Sequence, residues 1–360
     1  MTRPTPPARG RVGHAPTSAH IRETHAMFRR ALLRASCAAA FGFAAAGAQA
    51  PQAKAQAAWP TRPITMIVPF AAGGPTDVIA RIVGEHMSRT LGQQIVVENV
   101  AGAGGTTGTT RAAGAQADGY TIMMGHMGTH GAAPALYPNL RYDPASSFAP
   151  IGLAAGTPIL VVVKKAHPAQ DMRGFITHMQ GAGDKATLAH AGVGSVSHST
   201  GLLLLSTIKA KPTLVTYRGT GPALNDLMAG TVDAMADQIV NVAPQVSAGT
   251  IRALAIATPE RSPALPDVPT TAEAGLPDYQ VSAWNAVFAP KNTPPAIAAK
   301  LNDALVRALD DEGTRKRLLD LGGVIPDRAG RSPEALQKLV ESEVARWMPV
   351  LKGAASQASN

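Results

Sequence analysis

The sequence has 360 residues, of which 45% are hydrophobic and 16% are charged, and its formal net charge is +9. Most of that charge lies in residues 1–57, which contain eight Lys or Arg and one Glu, so residues 58–360 carry 25 basic and 23 acidic side chains, a net charge of +2. This near balance removes the isoelectric point of the full chain as an argument for nucleic-acid binding.

Residues 1–57 have the order of a secretory signal peptide. The basic stretch MFRRALLR begins at Met27, and the apolar run after it is too short to span a bilayer. Small residues of the A-x-A type then place the mature start near Ala58. Residues 1–26 are polar and rich in proline, which is explained if translation starts at Met27, and the sequence leaves this start codon open. We therefore expect export to the periplasm.

The remaining chain of about 303 residues has the length of two domains. Its only cysteine, Cys37, lies in the leader, so we expect no disulfide and no thiol chemistry in the mature protein. The richest later apolar run is PILVVV, which has the length of a strand rather than of a membrane span.

From Trp59 onward, short β-branched runs alternate with helical patterns, which predicts a parallel α/β sheet. The first unit is the strand ITMIVPF at 64–70, a glycine-rich turn, and a helix that ends at Gly92, where a left-handed C-cap belongs. The same pattern then continues with the strand IVVENV at 95–100, a loop and helix at 102–115, and the strand YTIMMG at 120–125.

A second set of strand and helix patterns begins with the strand PILVVVKK at 158–165. It comprises a helix at 172–180, the strands TLAHAG, TLVTYRG, VDAMADQ and IRALAIA, and helices through LLLLSTI and GTGPALNDLMAG. The run VSAWNAVFAP at 281–290 indicates a return strand. Two helices that begin at Thr293–Pro294 and Ser332–Pro333 complete the chain.

The segment PFAAGGPTD at 69–77 joins a buried strand directly to the N-terminus of a helix. Unpaired backbone N–H groups and the positive end of the helix dipole meet there, and Gly73 and Gly74 allow close approach of the backbone to an anion. A tight turn capped by Thr76 or Asp77 is the alternative interpretation of this segment.

Two further strand-to-helix turns repeat this design. GVGSVSH at 192–198 adds the hydroxyl groups of Ser195 and Ser197, and RGTGPAL at 218–224 adds Thr220. Two such loops that face each other make a cleft. Arg218 is a candidate partner for a ligand carboxylate, although a solvated or structural role is the default for a single arginine at a strand end.

The third predicted strand ends in GHMGTH at 125–130, at the sheet edge where open α/β sheets bind ligands. We interpret His130 as a hydrogen-bonded structural histidine, because no second ligand lies at a recognised metal spacing.

The sequence also contains the residue types of a hydrolase, including Ser195 and His198. No G-x-S-x-G elbow is present, because Gly194 directly precedes Ser195. Neither glycine-rich loop completes G-x-G-x-x-G, and no P-loop occurs. Nucleotide-dependent and triad chemistry are therefore poorly supported, and we expect neither a cofactor nor a metal.

Taken together, several segments resemble the Bug family, the extracytoplasmic solute receptors of tripartite tricarboxylate transport systems. They are WPTRPITMIVPFAAGGPTD, VVENVAGAGGTTG, ADGYTIMMG, GTH followed by PALYPNLRYDP and FAPIG, YRGTGPALNDLMAGTVD and RSPALPDVPTTAEAGLPDYQVSAW, and the resemblance covers the whole mature chain. The resemblance implies a two-domain periplasmic-binding-protein fold of the Venus-flytrap type, with a ligand cleft between the domains. The implied domain 1 is 58–158 plus 282–360, and domain 2 is 159–281.

The resemblance also implies that the loops at 69–77 and 192–198 hold one ligand carboxylate, partly through backbone N–H groups. Together with the motifs above, it gives the predicted ligand-binding set Phe70, Gly73, Gly74, Asp77, Thr129, Gly192, Gly194, Ser195, His198, Thr220, Asp237 and Trp284. The sequence departs from the family pattern at 236–238, where ADQ replaces Phe-Asp-Asn, and at Asn285, where an aromatic residue is common.

We therefore expect a non-enzymatic, monomeric solute-binding protein that captures a small carboxylate in the periplasm and delivers it to the membrane permease of a tripartite tricarboxylate-type transporter. The ligand could be a di- or tricarboxylate, an amino acid or an aromatic acid. An exported serine hydrolase that uses Ser195, and a ligand-sensing module that acts on a signalling partner, are the alternative functions.

Overall fold

The computed structural model describes the backbone of residues 59–358 and the side chains of residues 59–352. The predicted signal peptide lies outside the described residues. The strands are β1 Ile64–Val68, β2 Ile95–Asn99, β3 Thr121–His126, β4 Phe148–Lys164, β5 Thr187–His190, β6 Thr213–Thr216, β7 Ala234–Gln238, β8 Ile251–Ile256 and β9 Ser282–Pro290.

The α-helices, in chain order, are α1 Pro75–Leu91, α2 Thr106–Ala113, α3 Ala133–Leu136, α4 Met172–Ala182, α5 Val196–Ile208, α6 Thr220–Ala229, α7 Ile239–Ser247, α8 Pro295–Asp310, α9 Glu312–Asp320 and α10 Pro333–Ala358. Short 3₁₀ turns occur at Ala103–Gly105, Gly183–Lys185 and Ala329–Arg331, and a π-helical turn occurs at Gly128–Ala132. None of the helices between residues 59 and 358 combines the length and the apolar character that crossing a bilayer requires.

The strands lie in the order β2-β1-β3-β9-β4-β7-β5-β6, and β8 also pairs with β4. The pairs β1–β2, β1–β3, β5–β6 and β5–β7 are parallel, as the alternation of strands and helices predicts. All pairs that involve β4 or β9 are antiparallel, which agrees with the interpretation of residues 281–290 as a return strand.

The long strand β4 changes partners along its length. Residues 148–158 pair with β9, and residues 159–164 pair with β7 and β8. We call β1, β2, β3, β9 and residues 148–158 the first half-sheet, and β5, β6, β7, β8 and residues 159–164 the second half-sheet. The change of partner coincides with the predicted domain boundary at 158/159, and the division into domains at 158/159 and 281/282 stays a prediction.

Successive side chains of each strand point to opposite faces of the sheet, and each face is buried in an apolar cluster. Met66 and Val68 of β1 belong to one apolar cluster, whereas Ile67 belongs to the other. In the second half-sheet, Leu160 and Val161 are likewise divided between the two clusters. Helices cover each face, which is the α/β arrangement that the sequence predicts.

Helix α1 shows why the sequence predictions succeed. Ile79, Ile82, Val83 and Met87 are buried along one stripe, and the C-cap Gly92 has φ 67° and ψ 13°. The sequence prediction omitted α3, α7 and α9. Helix α3 has only four residues, α7 contains an internal proline, and α9 is short and mostly polar, so each gives a weak helix signal in the sequence.

Candidate ligand-binding site

Three helix N-termini surround a cavity of about 20 Å³ at the meeting of the two half-sheets. Helix α1 comes from the first half-sheet, whereas α5 and α6 come from the second. The described residues that line the cavity are uncharged at pH 7, since burial lowers the pKa of the one histidine among them to about 4; they are Phe70, Gly74, Pro75, Thr76, His126, Ala191, Ser195, Val196, Ser197, Thr220 and Gln238. Free backbone N–H groups and helix dipoles therefore dominate the electrostatics of this cavity.

The first loop, residues 69–77, is fixed by a carboxylate. The Arg81 guanidinium donates two hydrogen bonds of 2.9 Å to Asp77, and the Gly73 N–H donates a third at 3.0 Å. Asn99 Nδ2 also donates to Asp77, at 2.9 Å. Burial by itself raises the pKa of Asp77, but the hydrogen bonds from Arg81, Gly73 and Asn99 outweigh burial and hold the pKa below its usual range. Asp77 therefore stays charged and shapes the loop from behind.

The second loop, residues 192–198, is fixed by neutral groups. Ser195 is the N-cap of α5, and its Oγ accepts the His198 backbone N–H at 3.2 Å. Ser197 Oγ accepts the Ala191 N–H at 3.0 Å and lies 3.3 Å from Ser195 Oγ. Both hydroxyl groups thus serve the loop itself and also border the cavity.

Two histidines support the second loop from below. His190 Nδ1 accepts the Gly192 N–H at 3.1 Å, and His198 Nδ1 accepts the Gly194 N–H at 3.3 Å. Burial lowers the pKa of both imidazoles, that of His198 to about 3, so both are neutral at pH 7. The hydrogen bond between Ser195 and His198 uses the backbone of His198, so these residues do not form a nucleophile–base pair.

Glycine allows the two half-sheets to approach closely around the cavity. A Cβ atom on Gly104 would overlap the carbonyl oxygen of Val193, and one on Gly128 would lie 2.7 Å from the carbonyl oxygen of Gly194. Tyr137 Oη donates to the Val193 carbonyl at 2.7 Å, which adds a direct hydrogen bond across the same contact. The second loop is therefore held against the first half-sheet by its backbone.

The third strand-to-helix turn meets the first loop. The Ala71 N–H donates to the Arg218 carbonyl at 3.2 Å, and Thr220 opens α6 beside Gly74. The Arg218 side chain is exposed and has no hydrogen bond or ion pair with a described residue, and it does not line the cavity.

Asp237 lies behind the cavity and not on its wall. Its side chain is fully buried, Asn241 Nδ2 donates to Oδ2 at 2.5 Å, and burial raises the pKa of this carboxyl group to about 7. The next residue, Gln238, lines the cavity in its place.

Thr129, His130 and Trp284 have local partners. Thr129 Oγ1 lies 2.9 Å from His130 Nδ1, and the His130 ring stacks on Phe288 at 3.9 Å between ring centroids. Trp284 Nε1 donates to Glu343 at 3.2 Å within the core. His130 thus has the structural surroundings that the sequence predicts, and no group of three metal-ligating side chains occurs among the residues that the structure describes.

Of the predicted site residues, the structure places Phe70, Gly74, Ser195 and Thr220 on the cavity wall. Gly73, Asp77, Gly192, Gly194 and His198 belong to the two loops but are not among the residues that line the cavity, and neither are Thr129, Asp237 and Trp284. Their ligand-binding roles stay predictions.

Sequence reasoning did not select His126 or Gln238, although both line the cavity. His126 lies in the GHMGTH segment, and Gln238 lies in the ADQ segment that departs from the family pattern. Both are the last residues of their strands, β3 and β7. That position was the available signal, because ligands of open α/β sheets bind at strand ends.

The α/β fold and a cavity between two half-sheets define a two-domain solute-binding protein of the periplasmic type. The family model of the tripartite tricarboxylate transporter family receptor matches residues 79–355, so the chain belongs to that receptor family.

Solved structures agree with this assignment. The chain is 48% identical to MatC from Rhodopseudomonas palustris with bound malate, with a TM-score of 0.80 and coverage of 81% of this chain and 100% of that one. It is 40% identical to the periplasmic binding protein BugD, with a TM-score of 0.80 and coverage of 82% and 99%. It is 35% identical to R. palustris Rpa4515 with adipate, with a TM-score of 0.79 and coverage of 82% and 98%. The Bug-family resemblance and the fold class are thereby confirmed.

Proposed function

We propose that this protein is exported to the periplasm, binds a small organic carboxylate reversibly between its half-sheets, and delivers it to the permease of a tripartite tricarboxylate-type transporter. The observation that carries the proposal is the convergence of three helix N-termini on one cavity whose wall has no ionised side chain. Two similar receptors have malate and adipate bound, which supports the carboxylate class.

Helix N-termini are suited to this task because their free N–H groups point at an anion and their dipoles favour negative charge. The hydroxyl groups of Thr76, Ser195 and Thr220 add donors around the same cavity. Binding without a fixed ion pair keeps release possible, since no buried salt bridge has to be broken when the ligand leaves. We expect no ester turnover, because the partners of the Ser195 hydroxyl within residues 59–352 are Ser197 Oγ and the His198 backbone N–H, and no imidazole among these residues bonds to it.

Ligand entry requires the half-sheets to separate. A cavity of about 20 Å³ has room for roughly one water molecule, and malate is several times larger. The segments that connect the half-sheets near the cavity are β4 and the N-terminal end of β9, which we assign as the hinge of a monomeric receptor. Closure then brings both loops onto the carboxylate and forms the surface that the permease recognises.

The test is a thermal-shift and calorimetric panel on the purified full chain. The ligands are malate, succinate, adipate, glutamate and benzoate, and the uncharged succinamide is the control. We expect at least one carboxylate to raise the melting temperature and bind with one-to-one stoichiometry, while succinamide has no effect. Equal stabilisation by succinamide, or no response to any carboxylate, would reject the proposal.

A further inference from the structure

Gln238 presents a free amide nitrogen at the cavity. It is the last residue of β7, its side chain is 3% exposed, and it lines the cavity wall. Its Oε1 accepts hydrogen bonds from Thr157 Oγ1 at 2.7 Å and from Asn285 Nδ2 at 2.9 Å. These two donors fix the acceptor end of the amide. Within residues 59–352, Nε2 has no hydrogen-bond partner, so it is available to an acceptor in the cavity.

His126 presents a second free donor from the other half-sheet. It is the last residue of β3, it is 2% exposed, and its ring stacks on Phe70 at 4.8 Å between ring centroids. Its Nδ1 accepts the Thr129 N–H at 3.2 Å, so in the neutral imidazole the proton lies on Nε2. Among the described residues Nε2 also has no hydrogen-bond partner.

Asn285 connects these two donors. It lies opposite His126 in the antiparallel β3–β9 pair, and its amide donates to Gln238. Side chains directly opposite each other in such a pair lie on the same face of the sheet. The position of Gln238 is thus tied to the same part of the first half-sheet that carries His126.

We propose that Gln238 Nε2 and His126 Nε2–H form a donor pair that binds a second oxygen acceptor of the ligand. This inference rests on the proposed function, in which the helix N-termini bind the first carboxylate. The donor pair selects acids that carry another carboxylate, keto or hydroxyl oxygen. It discriminates against acids with an apolar tail, because their binding leaves two buried donors unpaired.

The direct test is the substitution Gln238→Glu. The carboxylate keeps one oxygen for Thr157 and Asn285, and its other oxygen replaces the donor at the cavity by an acceptor. Calorimetry compares succinate, malate and adipate with the matched monoacids butyrate, 3-hydroxybutyrate and hexanoate. We expect the wild-type protein to prefer at least one diacid over its monoacid by tenfold or more. Gln238→Glu lowers that diacid affinity by at least 30-fold and the monoacid affinity by much less.

Two further variants separate the cavity effect from charge and folding. Gln94→Glu adds the same charge at an exposed position, and we expect wild-type affinities. His126→Phe keeps a ring against Phe70 and removes the donor, and we expect a roughly tenfold loss for diacids only. If Gln238→Glu does not fold, the test is the ratio of diacid to monoacid affinity in His126→Phe. A ratio equal to that of the wild-type protein contradicts the donor pair.

Each outcome has a defined meaning. If the wild-type protein prefers monoacids, or if Gln238→Glu binds the diacid within threefold of wild type or more tightly, the donor pair is wrong and the receptor proposal stands. If none of these six acids binds, the donor pair is wrong, and if glutamate and benzoate of the first panel also give no response, the receptor proposal fails with it.

Discussion

The two glycine-rich loops that border the cavity follow the same order of strand, turn and helix, yet different chemistry fixes them. The first loop is organised by Asp77 and Arg81 of α1 and Asn99 of β2. The second loop is organised by serine hydroxyl groups and neutral histidines, with additional contacts from Gly104 and Tyr137, which lie in the segments that follow β2 and β3 of the first half-sheet. The positions of a loop's hydrogen-bond partners therefore indicate which of its contacts can form before the half-sheets meet.

This contrast indicates that the two loops depend on closure to different degrees. Every hydrogen bond to Asp77 comes from the first loop itself, from α1 or from β2, so the part of this loop around Asp77 is complete without closure. Its Ala71 N–H gains the Arg218 carbonyl only when the half-sheets are together. The Val193 carbonyl receives its hydrogen bond from Tyr137 on the opposite side of the contact, so part of the second loop is completed only when the half-sheets are together. The predictions below test this difference.

The largest effect is expected from Gly104→Ala. The new methyl group would overlap the Val193 carbonyl and block the approach of the second loop, so we expect affinity for a stabilising carboxylate to fall by more than 100-fold. Because Gly104 also has φ +59°, we expect the unliganded protein to lose about 1–2 kcal/mol of stability through backbone strain, as Gly73→Ala does, and no more than that, because the open form has no such overlap. Isothermal titration calorimetry and a thermal scan measure the two quantities.

Gly73→Ala in the first loop is the matched control. Gly73 has φ +82°, but a Cβ atom at this position would have no other atom within 4 Å, so the change costs only about 1–2 kcal/mol of backbone strain. We expect the ligand affinity of Gly73→Ala to stay well above that of Gly104→Ala. Equal losses of affinity in the two variants would show that backbone strain, and not closure, causes the effect.

A smaller effect, on stability, is expected from Asp77→Ala. The change leaves the Gly73 N–H without its acceptor and removes one of the two acceptors of Asn99 Nδ2, which costs about 2–3 kcal/mol of the free energy of unfolding. Ser195→Ala removes the N-cap of α5 and a long contact with Ser197 Oγ, and costs about 1 kcal/mol. Urea unfolding of both variants at pH 7 gives the comparison, and a larger loss for Ser195→Ala contradicts the assigned roles.

The remaining predictions concern acid stability. His198 has a pKa of about 3 in the folded protein against an ordinary value of 6.5, so below pH 6.5 only the unfolded chain gains the proton. The free energy of unfolding therefore falls as the pH drops from 6.5 towards 3, by up to about 1.4 kcal/mol per pH unit for this group. His198→Asn keeps an acceptor for the Gly194 N–H and should reduce the slope measured by urea unfolding between pH 7 and 5.

Asp77 makes the stability of the first loop depend on pH only in strong acid. Its pKa is held below the ordinary value of 3.8, so its contribution to stability is present above that pH and is lost as the pH falls through the lower folded value. Asp77→Asn should therefore leave the slope between pH 7 and 5 unchanged. If Asp77→Asn changes the pH dependence of the free energy of unfolding between pH 7 and 5 and His198→Asn does not, the roles assigned to Asp77 and His198 are wrong.

Much of the fold follows from the sequence alone. Apolar period, helix-start prolines and the C-cap at Gly92 determine most helices, and β-branched runs determine the strands, because these signals act within a few residues. The three strand-to-helix turns also follow from their glycines and hydroxyl residues. The extension of β4 back to Phe148 does not, since FAPIGLAAGT contains proline and glycine and gains its strand character from pairing with β9.

The tertiary structure decides which neighbouring side chain reaches the cavity. Sequence reasoning selected Asp237, whereas Gln238 lines the wall. In the pairing of β7 with β4, Asp237 lies opposite Leu160 and Gln238 lies opposite Ile159, one position away. Because successive residues of a strand point to opposite sides, one step in register exchanges a buried carboxyl group for a cavity donor. The sequence by itself determined that strand ends and helix starts meet a ligand, and long-range strand pairing decided which side chains face it.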